Sequence, residues 1–197
     1  MSNMQKFKDK KIELDNVVEW LQGPKRETPK VIFPFDDSLI NKDYEIETKI
    51  LFINKRESTQ IKNKDIDSLK GHIEAVLSDD DMLLIRDGNI NDEYCAIIKK
   101  IATGHGIHRK GVETEFNLTS FASKYCGSHN QKAPFWDNLV YDLLKYFKYK
   151  HEYRNYQEYI NVFKEIQNEL SLNDFSLREI EAAMWHIAKE ATSSEPV

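Results

Sequence analysis

The chain has 197 residues, 40% of them hydrophobic and 31% charged, with a formal net charge of -5; it is long enough to bury a real core and has the balance of a soluble globular protein. Seven glycines and five prolines argue against an all-β protein built on many tight turns and favour helices. Cys95 and Cys126 make no disulfide framework, no apolar run is as long as a membrane span, and the charged start MSNMQKFKDKKIELD has no signal-peptide centre, so a cytoplasmic location is expected.

The periodicity is helical almost throughout. Ile12 to Leu21 puts Leu14, Val17, Val18 and Leu21 on one face and is stopped by Gly23-Pro24, after which Gly23 to Ser38 reads as an irregular crossing segment. Tyr44 to Asn54 aligns Ile46, Ile50 and Ile53, and Asp65 to Leu77 aligns Ile66, Leu69, Ile73 and Leu77. A turn at Asp87-Gly88-Asn89 precedes a helix capped by Asp92 that carries Ile97, Ile98 and Ile101 and ends at Gly104-His105-Gly106. Beyond the basic loop His108-Arg109-Lys110-Gly111, the residues Leu118, Phe121, Ala122, Tyr125 and Cys126 have the spacing of a core-facing helix, with Gly127 as its terminator. Leu139, Val140, Leu143, Leu144 and Phe147 define the next helix. A long one follows with Tyr156, Tyr159, Ile160, Phe163, Ile166 and Leu170. Ser176-Leu177-Arg178-Glu179 has the pattern of a capping box and opens the last helix, through Met184 and Ile187. The expectation is an all-α, multi-helix globule of about eight helices. It is read as one domain over 1–197, divisible into two helical lobes near 1–90 and 91–191, with a flexible tail over 192–197.

Charge is uneven along the chain. Ile98 to Tyr159 holds ten Lys/Arg against six Asp/Glu, a basic segment within an acidic protein. Such a segment can grip phosphates while the remainder keeps the protein soluble. Tyr146, Phe147, Tyr149, Tyr153, Tyr156 and Tyr159 are interleaved there with Lys145, Lys148, Lys150 and Arg154. That pattern fits either a nucleic-acid track or an amphipathic hinge between two helices. The His105/His108 and Cys126/His129 pairs lack the further ligands a zinc site needs, and no Walker loop, dinucleotide glycines or Gly-x-Ser-x-Gly occurs. No metal and no cofactor is expected.

The run Pro134-Phe135-Trp136-Asp137 stands before the helix at Asn138. An aspartate there can accept hydrogen bonds from unpaired backbone N–H groups at the positive end of the helix, so its charged form is favoured even among aromatics. A fixed carboxylate of this kind can oppose the oxocarbenium-like charge that grows on a sugar as an N-glycosidic bond breaks, and can orient a water. A plain helix cap, the commoner case, looks the same.

Helix, turn, helix, polar loop and then P-x-x-D resembles the helix-hairpin-helix DNA glycosylases, and within them a divergent branch similar to the 8-oxoguanine enzymes. The resemblance covers about Glu93 to Phe147. Phe121-Ala122 stands at the family's small-residue step, Asp137-Asn138-Leu139-Val140 matches its Asp-x-x-Val, and Phe175 to Trp185 looks like the closing helix of the divergent branch. The chain departs from the family pattern at Phe116-Asn117-Leu118, where the family carries Leu-Pro-Gly-x-Gly, and has one residue more between Pro134 and Asp137. It also has no iron–sulfur cysteines. Ser120 takes the place where bifunctional members carry a Schiff-base lysine, which implies a monofunctional enzyme that uses water, with Lys124 one turn later as the fallback amine.

The resemblance therefore implies an all-α helix-hairpin-helix glycosylase-like fold and hydrolysis of the N-glycosidic bond of a damaged or modified base flipped out of DNA, in repair or in phage defence. Asp137 is the expected catalytic carboxylate, and Trp136, Phe135, Ser120 and Tyr141 are the expected contacts to the flipped base. DNA contacts are expected from Asn117, Thr119, Lys124, Arg109, Lys110 and His129. The expected partner is DNA bearing such a base, the protein acting as a monomer and away from membranes. The alternative reading is a catalytically inert helical DNA-binding or partner-binding protein of a bacterial defence or toxin–antitoxin system, with Asp137 only a cap.

Overall fold

The structure is a computed structural model describing residues 2–24, 43–57, 59, 61–108, 115, 117–149 and 155–193. Among these residues it is all helical, with ten α-helices: α1 (Asn3–Asp9), α2 (Asp15–Gln22), α3 (Asp43–Glu57), α4 (Ile66–Val76), α5 (Asp79–Arg86), α6 (Asp92–Ala102), α7 (Thr119–His129), α8 (Asn138–Tyr146), α9 (Tyr156–Glu169) and α10 (Leu177–Thr192). Two compact units form, one from Met1–Lys30 together with Lys132–Val197, the other from Val31–Gln131. The divisions fall near residues 30 and 131 rather than near 90, so one unit is assembled from both ends of the chain. Most of the crossing segment read at Gly23 to Ser38 lies outside the described residues.

In the first unit α10 packs against α1, α2, α8 and α9. Its sequence explains this central place. Ala182, Ala183, Ala188 and Ala191 let neighbours approach closely, while Ile180, Met184 and Ile187 fill the space between them, and all seven are buried. The Ser176–Glu179 capping box forms at its start as the sequence predicts. At its other end the Lys6 ammonium donates to the Thr192 carbonyl at 2.7 Å, a favourable place for a cation. Lys6 belongs to α1, a helix that periodicity does not reveal. Its seven residues bury only Phe7, whose ring lies 5.7 Å from that of Tyr146. α2 begins at Asp15, three residues later than expected, and buries Val17 and Leu21.

In the second unit α7 packs against α3, α5 and α6. Phe121, Ala122, Tyr125 and Cys126 are buried as expected, but so are Ser123, Lys124, Gly127 and Ser128, so this helix is enclosed all round. Two serines tolerate this by bonding back to the helix: Ser123 Oγ donates to the Ser120 carbonyl at 3.0 Å and Ser128 Oγ to the Lys124 carbonyl at 2.6 Å. Gly127 does not terminate the helix, which runs on to His129 because the enclosing packing outweighs a single glycine's weak propensity. Ile46, Ile50, Ile53, Leu69 and Ile73 are buried as their spacing predicts. α5 is an element the periodicity did not mark: Asp79-Asp80-Asp81 opens a helix in which Ser78 and Asp81 form a capping box. Asn91, not Asp92, caps α6, its side chain accepting from the Tyr94 N–H at 2.9 Å.

Candidate functional site

Within the first unit, Asp137 is the N-cap of α8. Its Oδ1 accepts from the Leu139 N–H at 2.8 Å and its own carbonyl accepts from Tyr141 N–H at 2.9 Å. The residue is half-buried. A carboxylate in this position has its charge supported by the helix start.

The segment leading to Asp137 is tethered carbonyl by carbonyl. The Lys132 carbonyl accepts from the Arg178 N–H at 3.1 Å, in the first turn of α10. The Pro134 carbonyl accepts from the Tyr156 hydroxyl at 2.5 Å, and the Phe135 carbonyl accepts from the Tyr159 hydroxyl at 2.8 Å, both tyrosines standing on α9. The same Tyr159 hydroxyl is hydrogen-bonded by the Asp137 backbone. Burial, and after it the Asp137 charge, push the Tyr159 hydroxyl well above its ordinary range, so it remains a donor throughout the physiological range.

The aromatic residues of the run have separate fates. Phe135 is buried, with the Arg178 guanidinium 3.6 Å from its ring centre, so it packs the loop rather than offering a face to a base. Arg178 is in turn ion-paired with Glu181, which is only 2% exposed. Trp136 is half-buried, its ring 5.0 Å from Tyr159 and 6.2 Å from Tyr141, stacked on the latter at 20°. Tyr141 is half-buried and carries the Lys145 ammonium 4.4 Å above its ring. Asp137, Trp136 and Tyr141 are thus the expected residues that this unit brings together with some exposure. A groove of about 690 Å³ in the same unit lies elsewhere, between α2 and α10, lined by Trp20, Ile187, Lys10 and Lys11 among others. Asp137 does not line it.

The second unit holds the remaining expected contacts. The exposed Asn117 forms a local turn: its Oδ1 accepts from both the N–H and the hydroxyl of Thr119, at 2.8 and 2.5 Å. Ser120 is half-buried, and the Lys124 ammonium reaches back one turn to its hydroxyl at 3.4 Å. Lys124 is 5% exposed, so it is not a surface lysine waiting for phosphate; the all-round burial of α7 draws it inward. His129 is half-buried with its ring 5.6 Å edge-on to Tyr125, a packing position rather than an extended surface contact. Arg109 and Lys110 lie outside the described residues.

Upstream of α7, Gly104 and Gly106 both have positive φ, 82° and 70°, and their N–H groups converge on the Glu115 carboxylate at 2.8 and 2.6 Å. The Gly104 amide above all, against the opposing effect of burial, and then the Gly106 amide with the charges of His105 and His108, hold Glu115 below the usual carboxylate range. His105 is buried and accepts the Ile107 N–H on Nδ1 at 3.0 Å. Among the described residues no group of three or more His, Cys, Asp or Glu is placed to hold a metal ion, and no helix is long and apolar enough to cross a membrane.

Tyr156, Tyr159, Arg178 and Glu181 are the residues that sequence reasoning did not assign to the site. Tyr156 and Tyr159 carried a helical stripe and a place in the aromatic–basic cluster, and Arg178 a place inside a capping box and the closing helix. No local signal could have tied them to a loop 22 to 46 residues earlier.

Comparison with known families finds a match to the HI_0787_N family, described as an N-terminal domain, over residues 24–133. The chain belongs to this family. The matched stretch contains the whole second unit and ends four residues before Asp137. No curated protein and no solved structure matches the chain.

Proposed function

We propose that this member of the HI_0787_N family is a monofunctional DNA glycosylase of the helix-hairpin-helix type, hydrolysing the N-glycosidic bond of a damaged or modified base. The observation that carries the reading is the half-exposed Asp137 carboxylate, bonded through Oδ1 to the start of α8 with Trp136 beside it. A carboxylate fixed before the reaction begins can stabilise the developing sugar cation without reorganising and can polarise the attacking water. Trp136 and Tyr141 supply aromatic surface next to it, suited to the flat face of an extruded base. Ser120 stands at the sequence position where bifunctional members of the resembled family carry a Schiff-base lysine, which supports hydrolysis over lyase chemistry. DNA carrying the modified base is the proposed partner, with a cytoplasmic monomer acting in repair or in defence against modified phage DNA.

A second reading rests on the same hydrogen bond. A carboxylate that accepts the Leu139 N–H already performs the whole task of a helix cap, and an inert DNA-binding or partner-binding protein of a defence or toxin–antitoxin system would show it too. Incubation of the protein with duplexes carrying oxidised, alkylated or hypermodified bases, and with unmodified controls, separates the two. Alkali-labile abasic sites on at least one modified duplex are expected. DNA binding with no abasic sites on any of them favours the inert protein.

A further inference from the structure

We propose that Tyr159 is a positioning residue for Asp137, acting through its hydroxyl rather than its ring. The inference rests on the glycosylase reading for its catalytic consequence but not for its structural one. The Tyr159 hydroxyl sits between the two backbone groups that set the course of the chain into Asp137. It donates to the Phe135 carbonyl at 2.8 Å and is hydrogen-bonded by the Asp137 backbone. The residue is fully buried on α9, with Phe163 4.9 Å from its ring at 66° and Trp136 5.0 Å away. Packed on these sides, the ring has no room to swing, so the hydroxyl is a fixed point.

Two further anchors show what Tyr159 adds. Tyr156 holds the Pro134 carbonyl, and Arg178 holds the Lys132 carbonyl through its N–H and the Phe135 ring through its guanidinium. These secure the loop as a whole. Tyr159 reaches both residues that flank Trp136, so it fixes the turn from which the Asp137 side chain departs. Preorganising a group to within a few tenths of an ångström is what separates a capable carboxylate from a nearby one, since a misplacement of about 1 Å can cost on the order of 100-fold in rate.

The test is Y159F, which keeps the ring and its contacts with Trp136 and Phe163 and removes one oxygen, with Y156F beside it. Two quantities are read on the folded protein well below its unfolding temperature. The first is hydrogen exchange at the Leu139 amide, whose protection reports the bond to Asp137 Oδ1. The second is single-turnover base release together with DNA affinity. Y159F is expected to speed Leu139 exchange about 10-fold and slow base release about 10- to 100-fold while DNA affinity holds, with a smaller effect in Y156F. Unchanged Leu139 exchange in folded Y159F overturns the proposal, whatever happens to the melting temperature. Faster exchange in a protein whose wild type releases no base upholds the positioning role and removes the glycosylase reading instead.

Discussion

The helices that begin at Thr119 and at Asn138 are started in contrasting ways. At Thr119 the side-chain bonds are local: Asn117 closes a turn on Thr119 two residues on and the N-cap Leu118 offers no side-chain bond, while the Leu118 N–H donates to the Ala102 carbonyl at the end of α6 at 3.2 Å. At Asn138 the side-chain cap is also local, but the segment that delivers it is held by Tyr156, Tyr159 and Arg178, partners 22, 24 and 46 residues away from the carbonyls they grip. A local turn needs only its own few residues to form. A tethered segment needs the packing of α9 and α10 first, and in return holds its carboxylate in one place. This is the arrangement expected where position matters more than folding economy.

The contrast can be broken or sharpened by mutation. The largest effect is expected from Arg178→Met, which leaves Glu181, 2% exposed, as a buried charge without its guanidinium partner; urea unfolding should show a loss of about 3–5 kcal/mol. Replacing both members, by Arg178→Met with Glu181→Leu, should recover much of that loss, because the isolated charge is then gone. Tyr159→Phe should cost about 1–3 kcal/mol, the expense of a buried carbonyl left without its donor. Asn117→Ala should cost about 1 kcal/mol, as for an exposed turn or cap. If Asn117→Ala proved as damaging as Arg178→Met, the distinction between a local and a tethered helix start would fail.

The smallest effect is a pH dependence on the other side of the comparison. Glu115, held below its ordinary value of 4.5 by the Gly104 amide first, stabilises the fold when ionised. Its contribution is complete above the unfolded value and is lost as pH falls through the lower folded value. The stability gap between wild type and Glu115→Gln should therefore be steady near neutral pH and shrink below about pH 4.5, followed by urea midpoints across that range.

What the sequence made legible follows the same division. The buried isoleucines of α3 and α4, the apolar stripe of α7 and the Ser176–Glu179 box are local patterns, and each appears where its spacing places it. Asp137 as a cap is likewise a local signal, and it forms. The α1 and α5 helices are missed because a seven-residue helix with one buried apolar side chain, and an eight-residue helix opening on three aspartates, carry too little period to read. Lys124 misleads because charge argues for the surface, while the enclosure of α7 depends on three other helices that no single stretch encodes. Phe135 misleads for the same reason: the guanidinium that covers its ring comes from Arg178, 43 residues later. The division into two units is equally non-local, since one unit joins the two ends of the chain.

The central claim, that the carboxylate of Asp137 breaks a glycosidic bond, is tested most directly by Asp137→Asn in single-turnover base release on whichever modified duplex the wild type processes. Asparagine is as good an N-cap as aspartate, so fold, melting temperature and DNA affinity should hold, and only the charge is removed. The expected result is a fall in base release of about 100- to 1000-fold or more with DNA binding unchanged. Base release at the wild-type rate in a folded Asp137→Asn protein would contradict the account and leave Asp137 as a helix cap.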